Sequence, residues 1–440
     1  MFRSVGQGAS MNSRSTYNPS RNSSMNTESG SVTNRSGHPP GSQPIQLRID
    51  VPLLVIVVLL LVFGILMVYS ASYIQSLKFY NNAYLVVQRQ FLFLIVGVVV
   101  AGVITFLDYH ILQRVAVPMM AATIIALIAV LIIGQVSQGA QRTLIGNSVQ
   151  PSELAKLVII IYLAVWLYAK RDQIHNVNFG LVPLAVMLGA LGGLIYVQPD
   201  LSAVVTIIFL GGLMFFLAGG DLRQIAILGL VSLIVGWLVI QATATGSSRI
   251  QSYLLGLGDP MRASDHVRRA IGAFVNGGWF GVGIGNSVTK VTGLPVPHTD
   301  SIFAVIGEET GMIGAVSLLI LYSLILWRGM KIARHAPDEL GALLAAGLTL
   351  WVAFEAFINM AVMVNLLPFA GNALPFISAG GSNMFVSMAA IGILLNISRL
   401  SVKTQEDNGR FFSAVVDLRG RNRRGRVPRP DRTTNTAQEE

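Results

Sequence analysis

The sequence predicts an all-α integral membrane protein of ten transmembrane helices, with N-in, C-in topology and a large extracytoplasmic loop between helices seven and eight. Three observations carry this. Of 440 residues, 53% are hydrophobic and only 12% charged, about half the charged share of an average soluble domain. Ten apolar runs approach the length that crosses a bilayer. Lysine and arginine collect in the two tails and in alternate short loops, which fixes the inner side.

Residues 1–46 are rich in Ser, Asn and Gly, with no apolar run before Val51, and read as a disordered cytoplasmic tail rather than a signal peptide. The membrane domain spans 47–400. Its apolar runs fall at about 51–73, 90–107, 115–134, 155–169, 181–197, 201–218, 224–243, 301–327, 341–365 and 384–397. Runs five and six are split only by Gln198-Pro199-Asp200, a hairpin in which proline stops the helix. Polar residues 243–300 form the large outer loop. Residues 401–440 read as a basic, disordered cytoplasmic tail, where Arg419, Arg421, Arg423, Arg424, Arg426, Arg429 and Arg432 crowd together. Most of the 31 Lys and Arg then lie inside, Arg114, Lys170, Arg171, Arg223, Arg328, Lys331 and Arg334 among them. The net charge of +10 therefore marks an anchor for anionic lipid or a docking site for a cytoplasmic partner, not nucleic acid. With no cysteine, disulfides, thiolate metal sites and cysteine nucleophiles are excluded.

Four outward segments carry more polar, Gly and Pro residues than connectors need. Gly139-Ala140-Gln141-Arg142 leads into Gln150-Pro151-Ser152-Glu153-Leu154-Ala155-Lys156. Pro151 and Glu153 suit a helix start, and Lys156 lies one turn on, in reach of Glu153. An internal ion pair is one reading; phosphate binding, above all by Arg142, is the other. Asp200 either caps the sixth helix or serves a site. The third segment holds Arg268 and Arg269 before Gly277-Gly278-Trp279-Phe280-Gly281-Val282-Gly283-Ile284-Gly285, a glycine-rich stretch with no Walker ending. It reads as a re-entrant or surface-lying segment, with arginines that neutralise a pyrophosphate or hold the membrane surface. The fourth, Leu367–Asn383, is a broken approach to the last helix: a groove for lipid tails or a plain outer loop.

Asp300 closes the outer loop after His298 and Thr299, with Glu308 and Glu309 about two turns deeper in the next helix. It could cap that helix, but the cluster exceeds what a cap requires, and acids at a bilayer surface are costly. Glu308 and Glu309 lie roughly 12 Å along the helix from Asp300, too far to share a reacting atom. They are expected to pair with a buried cation such as Lys156, and Glu355 likewise.

Taken together, Gly139–Arg142, Gln150–Lys156, Gln198-Pro199-Asp200-Leu201, His298-Thr299-Asp300 with Glu308-Glu309-Thr310-Gly311, and Leu374-Pro375-Phe376-Ile377-Ser378 with Gly380-Gly381-Ser382 resemble the SEDS family, over about residues 50–400. Its members FtsW, RodA and SpoVE serve bacterial division, elongation and sporulation. The resemblance implies a ten-helix protein of the bacterial cytoplasmic membrane that polymerises lipid II into glycan strands on the outer face, beside a class B penicillin-binding protein and other divisome membrane proteins. It also implies that Asp300 is catalytic. The sequence departs from the family pattern at Thr143, Ser202, Val296-Pro297, Ser301 and His266-Val267, which touches substrate positioning rather than the reaction. Inversion at the donor sugar needs one base, Asp300, and positive charge at the departing pyrophosphate. Candidate substrate and pyrophosphate ligands are Arg142, Lys156, Arg268, Arg269, His298, Thr299 and Ser378. Glu153, Asp200, Glu308 and Glu309 are assigned to structure and ion pairing. No metal ligands are identified, although a divalent cation, Mg or Mn, would suit the pyrophosphate. Ile306-Gly307-Glu308-Glu309 and the long polar tails lean toward the division branch. A lipid II flippase, a RodA-type elongation polymerase and a non-catalytic division scaffold are the rival readings.

Overall fold

The computed structural model describes residues 49–133, 135–137, 140–143 and 150–421; of 133, 135–137, 140–143, 242, 244, 245 and 402–421 it describes the backbone alone. The expected tail at 1–46 lies outside the described residues.

All ten apolar runs are helices, and the helix boundaries follow local chemistry. α1 (Val51–Tyr80) begins at Asp50, whose carboxylate accepts from Leu53 N at 3.0 Å, with proline in the first turn. It ends at Asn81, which takes the left-handed conformation. α2 (Leu85–Phe106) and α3 (Ile111–Ile133) follow, then a short antiparallel ribbon of β1 (Gln135–Ser137) and β2 (Ala140–Thr143). Apart from this short ribbon, whose backbone satisfies its polar groups by pairing with itself, the described fold is all-helical, as expected.

α4 (Pro151–Ala169) starts on proline, and α5 (Leu181–Val197) and α6 (Leu201–Leu217) flank the Gln198-Pro199-Asp200 turn. α7 is Leu222–Ala242. The expected loop then contributes two helices the apolar pattern did not show, α8 (Ala244–Gly258) and α9 (Asp265–Gly277). α9 buries Val267, Ala270 and Ala273 at helical spacing while Arg268 stays outward, a short amphipathic helix rather than a span. α10 (Ile302–Arg334), α11 (Glu339–Met363) and α12 (Gly381–Arg421) complete the chain. α12 is helical twenty-one residues past the expected boundary at 400.

Eight of these helices are long and apolar enough to cross a membrane; α5 and α6, at 17 residues each, are shorter. The chain is a multi-pass membrane protein. α4, α11 and α12 are its most buried helices, and α7 presents nearly all of its apolar surface outward. α12 packs along α2, α10 against α11, α9 and α1, and α3 against α4.

One helix is broken. Within α10, Gly311 has φ 70° and ψ −169°, so the helical ladder lapses there. The glycine-rich segment after α9 fills the gap: Gly278 O accepts from Met312 N at 2.9 Å and Trp279 O from Ile313 N at 3.3 Å, while Val282 N and Gly283 N donate to the carbonyls of Glu308 and Glu309. Non-helical backbone inside a membrane protein is tolerated where its polar groups find such partners. Gly281 sits in this splice with φ +80°, and a Cβ there would lie 2.2 Å from the Glu309 carbonyl oxygen. Gly281→Ala therefore combines left-handed strain with overpacking, and is expected to cost about 2–4 kcal/mol. A thermal melt in detergent that matches wild type would refute the splice.

Candidate functional site

The turn Leu294–Ser301 delivers Asp300 to the head of α10. It is held open by Val296 at φ 41°, a costly conformation for a β-branched residue, with Thr299 N donating to Val296 O at 3.2 Å. Ser301, not Asp300, is the residue at the cap position of α10, and the Ser301 side chain makes no capping bond. The carboxylate of Asp300 faces Gly371: a Cβ on that glycine would lie 3.4 Å from Oδ2. The Asp300 carbonyl accepts from Asn359 Nδ2 of α11 at 2.9 Å, and the same amide reaches Asn372 O. Asn359 is thereby the clasp between the Asp300 turn and the segment before α12.

That segment is the seam of the site. Ser378 Oγ donates to Thr299 O at 2.8 Å and accepts from Leu374 N, and Ala379 N donates to His298 O. On the other side, Ser382 Oγ accepts from Gln150 N at 2.8 Å and Asn383 Nδ2 donates to Glu153 Oε2 at 3.1 Å. One stretch of ten residues thus ties the Asp300 turn to the start of α4. Ser378 acts there on the backbone of the turn, holding it rather than reaching outward.

Next to Asp300, His266 of α9 stacks on Phe369 with ring centroids 4.1 Å apart, and its Nδ1 lies 3.1 Å from Ser301 Oγ. Arg249 of α8 stands over the same Phe369 ring at 5.6 Å. Burial first, then the Arg249 guanidinium, push His266 down to about 4, and burial lowers His298 as well. Both imidazoles are neutral at pH 7 and can orient a hydroxyl but not neutralise a phosphate. An unfolded histidine binds its proton near pH 6.5. Acid therefore favours the unfolded chain, and stability fully present above about pH 6.5 is lost as the pH falls toward 4. His266→Gln is expected to flatten the fall in melting temperature between pH 7.5 and 5; an unchanged pH profile would count against a neutral His266.

The α4 motif forms a buried charge cluster. Lys156 Nζ bonds Glu153 at 2.9 Å and also contacts Glu355 of α11, with the Trp351 ring 5.8 Å away. Its charge is consumed by two carboxylates, so the internal ion pair expected from spacing is present, extended by Glu355. Asp200 caps α6 through Ala203 N at 3.3 Å and reaches back to Ser152 Oγ at 2.9 Å, joining two motifs.

Glu308 and Glu309 do not meet Lys156, which corrects that expectation. The cation is Lys290, whose Nζ bonds Glu309 Oε1 at 2.6 Å, Ser70 Oγ at 2.9 Å and Gly285 O at 2.8 Å. Glu308 receives Ser287 Oγ and the Thr289 backbone N–H. The two acids bind the glycine-rich segment to α10, with all three charged side chains buried. Lysine in a loop carries no helical spacing to a glutamate nineteen residues later, so no sequence signal marked it. Arg249, Phe369 and Asn359 were missed for the same reason.

Of the remaining candidates, Arg268 pairs with Asp265 at 2.6 Å on the exposed side of α9, and Arg269 donates to Thr292 O at 2.8 Å beside Gly293. Arg142 lies on β2, and its side chain is outside the described residues. Among the described residues no group of three or more His, Asp or Glu converges as a metal site.

Residues 51–403 match the family described as cell cycle protein, FTSW_RODA_SPOVE. A probable peptidoglycan glycosyltransferase FtsW of Trichlorobacter lovleyi is 40% identical over 354 residues, covering 79% of this chain and 93% of that one. Stage V sporulation protein E of Bacillus subtilis is 37% identical over 80% of this chain and 97% of its own. Among solved structures, a chain from a peptidoglycan synthase complex that coordinates polymerization and crosslinking aligns with a TM-score of 0.66 at 25% identity, over 80% of this chain and 98% of that one. Thermus thermophilus RodA, a rod shape determining protein, aligns with a TM-score of 0.59 at 25% identity, over 81% and 98%.

Proposed function

Because the chain belongs to the FtsW/RodA/SpoVE family of cell cycle proteins, we propose that it is a peptidoglycan glycosyltransferase that polymerises lipid II at the outer face of the bacterial cytoplasmic membrane during division. The proposal includes ten spans, with α5 and α6 as the two short ones, and both termini inside. The observation that carries the reading is the placement of Asp300. It stands just before the N-terminal end of α10, in a turn pinned by Asn359, Ser378 and Ala379.

The chemistry requires one inverting displacement. The 4-hydroxyl of the acceptor sugar attacks the anomeric carbon of the donor, its proton passes to Asp300, and the lipid pyrophosphate leaves with the bonding electron pair. No covalent sugar–enzyme intermediate is needed, so one carboxylate suffices where a retaining enzyme uses two. Neutral His266 and His298 beside the turn suit hydroxyl orientation. Charge for the leaving group would come from Arg142 and Arg249, with Arg268 and Arg269 at the rim; Lys156 is reassigned to holding α4 to α11. A divalent cation bound to the pyrophosphate would supply further positive charge. A class B penicillin-binding protein is the proposed partner for crosslinking.

The test is to incubate the purified protein with fluorescent lipid II, alone and with that partner. Glycan ladders are expected. Their absence even with the partner would overturn the polymerase reading in favour of a flippase, against which the gathering of buried charges near one end of the bundle speaks. Depletion in the host separates division, expected to give undivided filaments, from elongation, which would give rounded cells.

A further inference from the structure

α1 and α10 are locked together at both ends, and the locks measure depth. At one end Arg328 Nε bonds Asp50 Oδ1 at 2.8 Å. At the other, Ser70 Oγ and Lys290 Nζ meet Glu309. Ser70 is twenty residues from Asp50 and Glu309 nineteen from Arg328, so both helices set the two polar layers about 30 Å apart at 1.5 Å per residue. That is the thickness of a bilayer's hydrocarbon core. The glycine-rich segment is spliced into α10 at Met312 and Ile313, sixteen and fifteen residues from Arg328. Its backbone therefore runs from the level of Glu309, where Val282 and Gly283 N donate to the Glu308 and Glu309 carbonyls, to about 5 Å inside that layer at Gly278 and Trp279.

The side chains at that depth are apolar and uncovered. Phe280 is 84% exposed and Trp279 71%, with Ile284 and Val288 also exposed. Met312, Ile313 and Val316 of α10 continue the same apolar surface, also exposed. Tryptophan and phenylalanine at the junction of headgroup and acyl chain are the side chains membranes favour there. The chain's charges avoid this surface: Lys290, Glu308 and Glu309 all turn inward.

We propose that Trp279 and Phe280 form a wedge inserted into the lipid leaflet, continuous with the lipid-facing side of α10, which seats the glycine-rich segment at the junction of headgroup and acyl chain. The occupant of this surface is the bilayer. The depth argument does not depend on the catalytic reading, and the leaflet is the outer one under the orientation given above.

The chain has no cysteine, so single labels are straightforward. Phe280→Cys, Leu319→Cys as a lipid-facing reference and Met261→Cys as an aqueous reference would each carry an environment-sensitive fluorophore. The full chain would be reconstituted in phosphatidylethanolamine–phosphatidylglycerol vesicles. Quenching would be read with lipids bearing a nitroxide near the headgroup end of the acyl chain and with aqueous iodide. The Phe280 probe is expected to be quenched by the lipid nitroxide at least as strongly as Leu319, and by iodide several-fold less than Met261. Quenching by iodide to the Met261 level, with none from lipid, would overturn the wedge. So would shielding from iodide that develops only when the class B partner is added, which would assign the surface to a protein. A melting temperature equal to wild type for Phe280→Cys ensures that the probe reports the native segment.

Discussion

Asp300→Asn is expected to abolish glycan ladders, with polymerisation falling by about 100-fold or more, the scale on which a general base contributes. The substitution keeps shape and leaves the backbone bond from Asn359 to the Asp300 carbonyl intact, so the melting temperature should hold. Raising the pH is expected not to rescue it, because an amide has no proton-accepting form in the accessible range. Ladders that persist in folded Asp300→Asn would move the base elsewhere. Glu308 and Glu309 are poor substitutes, since both are buried and bonded to the glycine-rich segment.

Lys156→Met is expected to produce the largest loss of stability. Glu153 and Glu355 would remain near each other without their shared cation, and uncompensated buried charge costs about 3–5 kcal/mol. Lys156→Met combined with Glu355→Leu should recover part of that loss, since it removes the deeper of the two orphaned carboxylates and leaves Glu153 with its bond from Asn383. Melting temperatures of the two single variants and the double variant form the cycle. Additive losses would mean that the pair is not coupled.

Local patterns were legible in the sequence and long-range pairings were not. Apolar runs marked every long helix, since twenty apolar residues have few alternatives in a membrane protein. Pro151 and Asp200 marked helix starts correctly because a cap acts within a turn. Glu153 and Lys156 were readable as a pair because three residues on a helix bring side chains together. Glu355, an acid inside an apolar span, was expected to find a buried cation such as Lys156 and does; Lys290 was different, since its pairing needs a loop to fold back onto α10 from 19 residues away. α8 and α9 escaped notice because short polar helices on a surface lack the length and continuous hydrophobicity of a span. The seam from Leu374 to Asn383 was recognisable as a motif, but its work is done through backbone carbonyls, which sequence does not display.

The paired locks on α1 and α10 have a mechanical consequence. A helix clamped at one end can slide like a piston, but these two are clamped near both, and a shift of even one turn, about 5.4 Å, would break the Asp50–Arg328 and Ser70–Glu309 contacts together. The interruption at Gly311 lies just beyond the outer clamp toward the membrane interior. Sliding along the axis is thus opposed, and so is bending at Gly311, because the glycine-rich segment hydrogen-bonds α10 on both sides of the break, at the Glu308 and Glu309 carbonyls and at Met312 and Ile313 N.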